Sequence, residues 1–373
     1  MMTPIGLYIH VPFCDGKCPY CDFYSMRATE MLLDQYTDGI IQKFNDYKSE
    51  NPELRMDTVY FGGGTPTLLG GARLRRILEA LRPSVMPEAE ITVEGNPGGE
   101  LDELFREVHA GGVNRVSLGL QSADTDVLRA LGRRHTAGDA ARAVEAAHRA
   151  GIQNVSLDLM LAVPGQDAAA LRRSVDFCAR VGATHVSAYL LKIEPHTRFW
   201  QERGSLDLPD DDTAADLYLE ACRALEEAGY GQYEISNFCR PGFASRHNLK
   251  YWDQKPYLGL GPAAHSYYGG KRFSWPRSLR KFLSGEPPLP ESDEGCPTGS
   301  FAEYAMLRLR LTEGLTRAGC WARFGHGIPA ALEAAAKRYV RAGLTAVTPQ
   351  GVRLTQKGFL VSNALLVELI DPL

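Results

Sequence analysis

The chain has 373 residues, 44% of them hydrophobic and 23% charged, with a net charge of -4 at pH 7 and a pI near 6.2. That length allows a large core plus a smaller second unit, and the mild acidity excludes a nucleic-acid footprint spread over the whole surface. No apolar run reaches the roughly 18 residues of a membrane span, and the start MMTPIGLYIH lacks the pattern of a secretion signal.

Along the chain, short β-rich apolar runs alternate with amphipathic stretches. Strands are predicted at Leu7–Val11, Asp57–Phe61, Ile91–Glu94, Arg115–Leu120, Val155–Leu161 and His185–Leu190. Helices are predicted at Thr29–Lys48, Ala72–Leu81, Glu100–Ala110, Ala123–Leu131 with Ala137–Ala150, Asp167–Val181 and Asp211–Ala228. This alternation implies an α/β fold with a parallel sheet. Six units are too few for the usual closed eight-unit barrel, so a partly open (β/α)6 barrel is expected, with its chemistry at the C-terminal ends of the strands. Cys14, Gly62–Pro66, Glu94, Gln121 and Asp158 all fall at or just past predicted strand ends.

Residues 1–284 are assigned to the barrel and its extension, and 285–300 (around GEPPLPESDEGCPTG) to a linker rich in proline, glycine and acid. Residues 301–373 read as helix, helix, a strand pair turning at Pro349–Gly351, and a closing helix, a small α+β winged-helix-like cap. The cap has nine Lys/Arg against five Asp/Glu, which reads as a solvated helical surface rather than a nucleic-acid face.

VPFCDGKCPYCDFYS places Cys14, Cys18 and Cys21 in a C-x3-C-x2-C triplet. Three close thiolates suit three irons of a 4Fe–4S cluster and leave the fourth open to a small molecule, whereas electron-transfer ferredoxins close theirs with four cysteines. A redox pair at Cys18-Pro-Tyr-Cys21 leaves Cys14 unused, and a structural zinc site lacks a fourth ligand at finger-like spacing. The remaining five cysteines are scattered. Cys178 and Cys222 fall on apolar helical faces, and Cys239 precedes Arg240-Pro241-Gly242. Eight cysteines are too sparse for a disulfide scaffold, so a reducing, cytoplasmic setting is expected. Phe61-Gly62-Gly63-Gly64-Thr65-Pro66 follows the second strand, and glycines in a row permit positive φ and close backbone approach. The spacing is not that of a dinucleotide fingerprint. His135 ends a GRRH string, at a cofactor mouth or a solvated helix start.

The triplet, GGGTP and the strand-end polar residues resemble the radical S-adenosylmethionine (SAM) superfamily. The resemblance implies that the open iron binds SAM, and that reduction of the cluster cleaves SAM to a deoxyadenosyl radical. It also implies that SAM is held by Tyr8, Tyr20, Gly63, Gly64, Thr65, Glu94, Gln121, Arg133 and Asp158. RVSLGLQSADTDVLRALGRRH, DLMLAVPGQ, YEISNFCRPGFASRHNLKYW, YLGLGPAAHSY and EYAMLRLRLTEGL are similar to the coproporphyrinogen III dehydrogenase-like group, and within it to the HemW family of heme chaperones.

Two features separate that family from the decarboxylating dehydrogenase. The dehydrogenase carries a further cysteine two places after the third, where this chain has Phe23, and the chaperones carry H-N-x-x-Y, here His247 to Tyr251. The resemblance therefore implies heme held by His247 and Tyr251, recipient respiratory hemoproteins and an electron donor as partners. A helical His–Tyr pair four residues apart shares one face, and either residue ligates heme in other proteins. Trp252, Tyr257, Tyr267 and Tyr268 are candidates for a flat wall. An oxygen-independent coproporphyrinogen III dehydrogenase and a radical SAM RNA modifier remain alternative functions.

Overall fold

A computed structural model describes residues 3–291 and 296–371 of the chain. Six strands, β1 (Ile5–Val11), β2 (Met56–Gly63), β3 (Val85–Gly95), β4 (Arg115–Gln121), β5 (Asn154–Leu161) and β6 (His185–Leu190), pair in parallel in chain order. They alternate with α1 (Glu30–Glu50), α2 (Gly71–Leu81), α3 (Asp102–Ala110), the pair α4 (Thr125–Ala130) and α5 (Ala137–Arg149), and α6 (Ala168–Arg180). α7 (Arg198–Glu202) and α8 (Asp211–Glu227) follow β6. The helices begin at polar caps such as Thr29, Asp167 and Asp210, and Thr136 with Asp139 forms a capping box.

Sequential strand order keeps the crossovers of one hand, so the sheet curls with its helices outside. Leu7, Ile9 and Val11 of β1 are buried with the helix-side core, while Tyr8 and His10 alternate to the other face. That inner face is polar, carrying Tyr60, Glu94, Arg115, Ser117 and Asp158.

The sheet does not close. The free edge of β1 takes up β9 (Tyr257–Leu260) in parallel, and β6 takes up β8 (Asn237–Cys239) antiparallel. β7 (Gly231–Gln232), β10 (His265–Tyr268), β11 (Lys271–Ser274) and β12 (Leu289–Pro290) complete a 12-stranded sheet. α9 (Arg246–Trp252) and α10 (Leu279–Leu283) lie within this extension. Strands of two to four residues are too short for alternation to register in a sequence, which is why the extension strands were not predicted.

The C-terminal part comprises α11 (Phe301–Arg308), β13 (Leu315–Thr316), α12 (Arg317–Phe324), α13 (Ala330–Arg338), β14 (Thr345–Val347), β15 (Gly351–Leu354), α14 (Gln356–Leu360) and α15 (Ser362–Ile370). Its small sheet has the order β13–β15–β14. The β14–β15 hairpin turns where expected, while β13, a third helix ahead of the hairpin and the division of the closing helix at Val361 are additions. Among the excess cations, Arg308 pairs with Asp253 and Glu313, Arg317 with Glu333, and Arg338 with Glu368. Residues 292–295 of the expected linker lie outside the described residues, as do 1–2 and 372–373. Among the described residues, no helix is long and apolar enough to cross a membrane.

Candidate functional site

Cys14, Cys18 and Cys21 occupy the loop between β1 and α1, all free and partly exposed. The loop is pinned to its surroundings by backbone bonds: Cys14 N–H donates to Met26 O at 3.0 Å and Thr65 N–H to Phe13 O at 2.7 Å. The glycine run serves this packing. Gly63 has φ +111°, and a Cβ there would lie 2.6 Å from the His10 ring. Only glycine lets the strand end pass so close.

Two of the three sulfurs are joined by a chain of side-chain hydrogen bonds. Thr65 Oγ1 donates to Cys14 Sγ at 3.7 Å, and Asn96 Nδ2 donates to Thr65 Oγ1 at 3.0 Å. Arg133 Nη2 donates to Asn96 Oδ1 at 2.8 Å, and its Nη1 donates to Cys18 Sγ at 3.3 Å. Arg133 also donates to Gly119 O at 2.7 Å, and its buried Nε has no partner. A Cβ at Gly119 would meet Arg133 Nη2 at 2.7 Å and Gln121 Nε2 at 2.8 Å, so that residue clears space for both. Tyr20 packs against Phe199 beside this network, and burial raises its phenol pKa. Asn96 and Gly119 were missed in the sequence. The Glu94-Gly95-Asn96-Pro97 turn after β3 was the available signal for the first, and a glycine inside a strand for the second.

Glu94, near the end of β3, accepts from Tyr60 OH at 2.7 Å and from Gly63 N–H at 3.1 Å. Burial raises its pKa to about 7, against the lowering effect of the Tyr60 bond. Gln121 ends β4 in a left-handed conformation with φ 65°. Asp158 departs from the expectation of a strand-end residue: it lies inside β5 and accepts from Ser117 Oγ at 3.3 Å. Its pKa is raised by burial and opposed by Ser187 and by the fully buried Arg115. Tyr8 donates to or accepts from His10 Nδ1 at 3.0 Å. The structure thus joins Gly63 to Glu94 directly and Thr65 to Arg133 through Asn96, and holds Asp158 on Ser117.

The His247–Tyr251 segment is helical, as expected, in α9. His247 is 1% exposed, with Nδ1 bonded to Thr58 Oγ1 and Nε2 bonded to Tyr251 OH, each at 2.8 Å. Its ring stacks on Tyr60 at 5.1 Å. Burial lowers its pKa to about 3, with Lys250 and Arg115 adding to the effect. Both nitrogens are therefore occupied, and an axial bond from His247 requires release of one of them.

Tyr251 borders a cavity of about 620 Å³ that Asp22, Phe23 and Tyr24 of the cysteine loop also line. Of the aromatics proposed as a wall, Tyr257 lines this cavity. Trp252, Tyr267 and Tyr268 do not, and Tyr268 instead packs edge-on against Tyr47. A wider groove over Leu32, Gly39 and Leu283 has no aromatic or imidazole in its lining. His135 bonds Leu120 O at 2.9 Å. Cys178, Cys222 and Cys239 are buried, and burial raises all three thiol pKa values.

The model of the radical SAM superfamily matches residues 8–178, and that of the HemN C-terminal domain matches residues 301–361. The heme chaperone HemW of Mycobacterium tuberculosis is 36% identical over 379 residues, covering 98% of this chain and 95% of its own. The chain belongs to the HemW family of radical SAM proteins. HemW of Escherichia coli is 35% identical with 85% of each chain covered, and HemW of Bacillus subtilis is 32% identical with 95% of this chain and 96% of its own covered. Among solved structures, the coproporphyrinogen III oxidase HemN from Escherichia coli superposes with a TM-score of 0.83 over 99% of this chain and 91% of its own. At 21% identity, that likeness shows the fold.

Membership in the superfamily implies a 4Fe–4S cluster and SAM. The donor set fits a cluster: three free thiols share one loop, and protein donors from Thr65 and Arg133 already point at two of the sulfurs. Among the described residues, no three His, Cys, Asp or Glu side chains close around a single-ion site. In a cluster, each cysteine binds a separate iron.

Proposed function

We propose that this protein is a heme chaperone that carries a 4Fe–4S cluster on Cys14, Cys18 and Cys21 and binds SAM beside it. It takes up heme transiently and passes it to respiratory hemoproteins in the cytoplasm. When bound, the cluster supplies an open iron and an electron to SAM. SAM is held by Tyr8, Tyr20, Gly63, Gly64, Thr65, Glu94, Gln121, Arg133 and Asp158. Glu94 is the carboxylate for a cationic amino group, and Arg133 fixes the loop that carries Cys18. Heme occupies the cavity beside the cluster loop, with Tyr251 in its wall and His247 holding the Tyr251 hydroxyl. Residues 1–284 form the binding unit, 285–300 the linker and 301–373 the cap.

The observation that carries this reading is the cavity of about 620 Å³ shared by the cluster loop and Tyr251. It lies within the roughly 300–1,000 Å³ of sites that hold a small molecule or cofactor. The three relatives described above, each named a heme chaperone, support the same conclusion.

The test is anaerobic. The protein with a reconstituted cluster is incubated with SAM and reductant, in one arm with heme and in the other with coproporphyrinogen III. Stoichiometric heme binding, followed by transfer to an apo-hemoprotein, is expected. Protoporphyrinogen formed with turnover would overturn the chaperone in favour of the decarboxylating enzyme.

A further inference from the structure

The cavity contains an imidazole that the H-N-x-x-Y string does not include. His265 begins β10 and lines the same cavity as Tyr251 and Phe23. Its side chain is 65% exposed. Nδ1 bonds Glu291 Oε1 at 2.5 Å, and Nε2 has no protein partner among the described residues. A carboxylate on one ring nitrogen orients a histidine and raises its basicity as a metal ligand, leaving the other nitrogen for the metal. His247 has the reverse arrangement, with no nitrogen left open.

The rest of the cavity suits a flat, acidic, iron-bearing cargo. Phe23, Tyr24, Tyr257 and Trp275 give it aromatic walls. Arg277 stands at the rim, 59% exposed, bonded to Asp22 O at 2.8 Å and 3.6 Å from the Asp22 carboxylate. Its guanidinium is a charge partner for a carboxylate arm of such a cargo. The other imidazole in the lining, His10, is held by Tyr8 OH and Tyr24 O at both nitrogens. Among the histidines of this cavity, only His265 presents an uncommitted nitrogen.

We propose that His265, held by Glu291, is the axial ligand that this protein offers to heme iron, and that Tyr251, backed by His247, lines the cavity without ligating. The assignment rests on the heme-chaperone reading above. An exposed ligand at the rim, rather than one deep in the core, suits a cargo that has to leave again.

Full-length protein with its cluster reconstituted is titrated anaerobically with ferric heme, and ligation is read by electron paramagnetic resonance and resonance Raman. The wild type is expected to show a histidine-ligated heme. His265→Ala loses that signature and binds roughly tenfold or more weakly. Free imidazole restores the signature to His265→Gly, and His265→Tyr converts it to a tyrosinate-ligated spectrum. Glu291→Gln weakens binding by a smaller factor. A His265→Ala protein that binds heme with unchanged affinity and histidine ligation overturns the assignment but leaves the chaperone reading intact. A wild type that binds no heme overturns both.

Discussion

On the cluster loop, three thiols are free, partly exposed and approached by donors from Thr65 and Arg133. On α9, the imidazole of His247 is enclosed by Thr58, Tyr60 and Tyr251 with both nitrogens bonded. Both regions carry residue types and spacings that ligate metal elsewhere, yet only the first leaves its lone pairs open. A ligand is defined by what its free atoms face, and spacing alone does not set that. The largest effect is accordingly expected on the loop. Cys18→Ala should reduce iron and acid-labile sulfide to background after reconstitution, and a cluster that survives this change would move the site elsewhere.

The enclosed histidine should reveal itself through stability. His247→Asn removes a ring from a packed site and strips two hydroxyls of a buried partner, at a cost of about 3 kcal/mol in denaturant unfolding. Its pH dependence has a definite sign. The folded pKa of about 3 lies below the ordinary 6.5, so neutral His247 contributes fully above about pH 6.5. The contribution shrinks as pH falls toward 3, because the unfolded chain takes up a proton that the folded one refuses. Between about pH 7 and pH 5, the gap between wild type and His247→Asn should close by roughly 2 kcal/mol. A gap that does not change would mean that His247 is already open to water, and so available to a ligand.

The six-unit sheet was legible because its strands and helices are long enough for their periods to show, and the cysteine spacing marked the loop without further help. The helical placement of His247 and Tyr251 followed from their four-residue spacing. Whether a ring nitrogen was free did not follow, since Thr58 lies 189 residues away in the chain and joins His247 only through the fold. Asn96 was invisible for the same reason: its role depends on Thr65 and Arg133, which three separate strand–helix units bring to one point. Asp158 was counted among the strand-end residues although the predicted run Val155–Leu161 already places it three residues inside, and β5 does end at Leu161.

A smaller effect tests how far the thiols depend on this bridge. Asn96→Ala breaks the bonds to Thr65 and Arg133 together, at an expected cost of about 2 kcal/mol in thermal unfolding. With Arg133 and Thr65 less well fixed, donation to the two sulfurs weakens. The cluster's reduction potential, measured by redox titration, should become more negative, because hydrogen bonds to sulfur stabilise the reduced, more negative cluster. An unchanged potential would leave the Asn96 bridge with a structural role only.

Glu94 lies between the two regions, since its Tyr60 partner also stacks on His247. Its pKa of about 7 in the free protein leaves the carboxyl only partly ionised near neutrality. If Glu94 receives the amino group of SAM as a cation, binding requires the carboxylate, and the affinity should rise as pH increases through 7. From about pH 6 to pH 7, where an α-amino group is still largely protonated, the ionised fraction grows roughly fivefold, equivalent to about 1 kcal/mol of binding. Calorimetric titration of the cluster-loaded protein with SAM should show that slope, and Glu94→Gln should bind more weakly with the slope flattened. A wild-type affinity independent of pH over this range would remove Glu94 from the SAM contacts. Its carboxyl would then be a buried partner of Tyr60 and Gly63, closer in character to the enclosed His247 than to the open thiols.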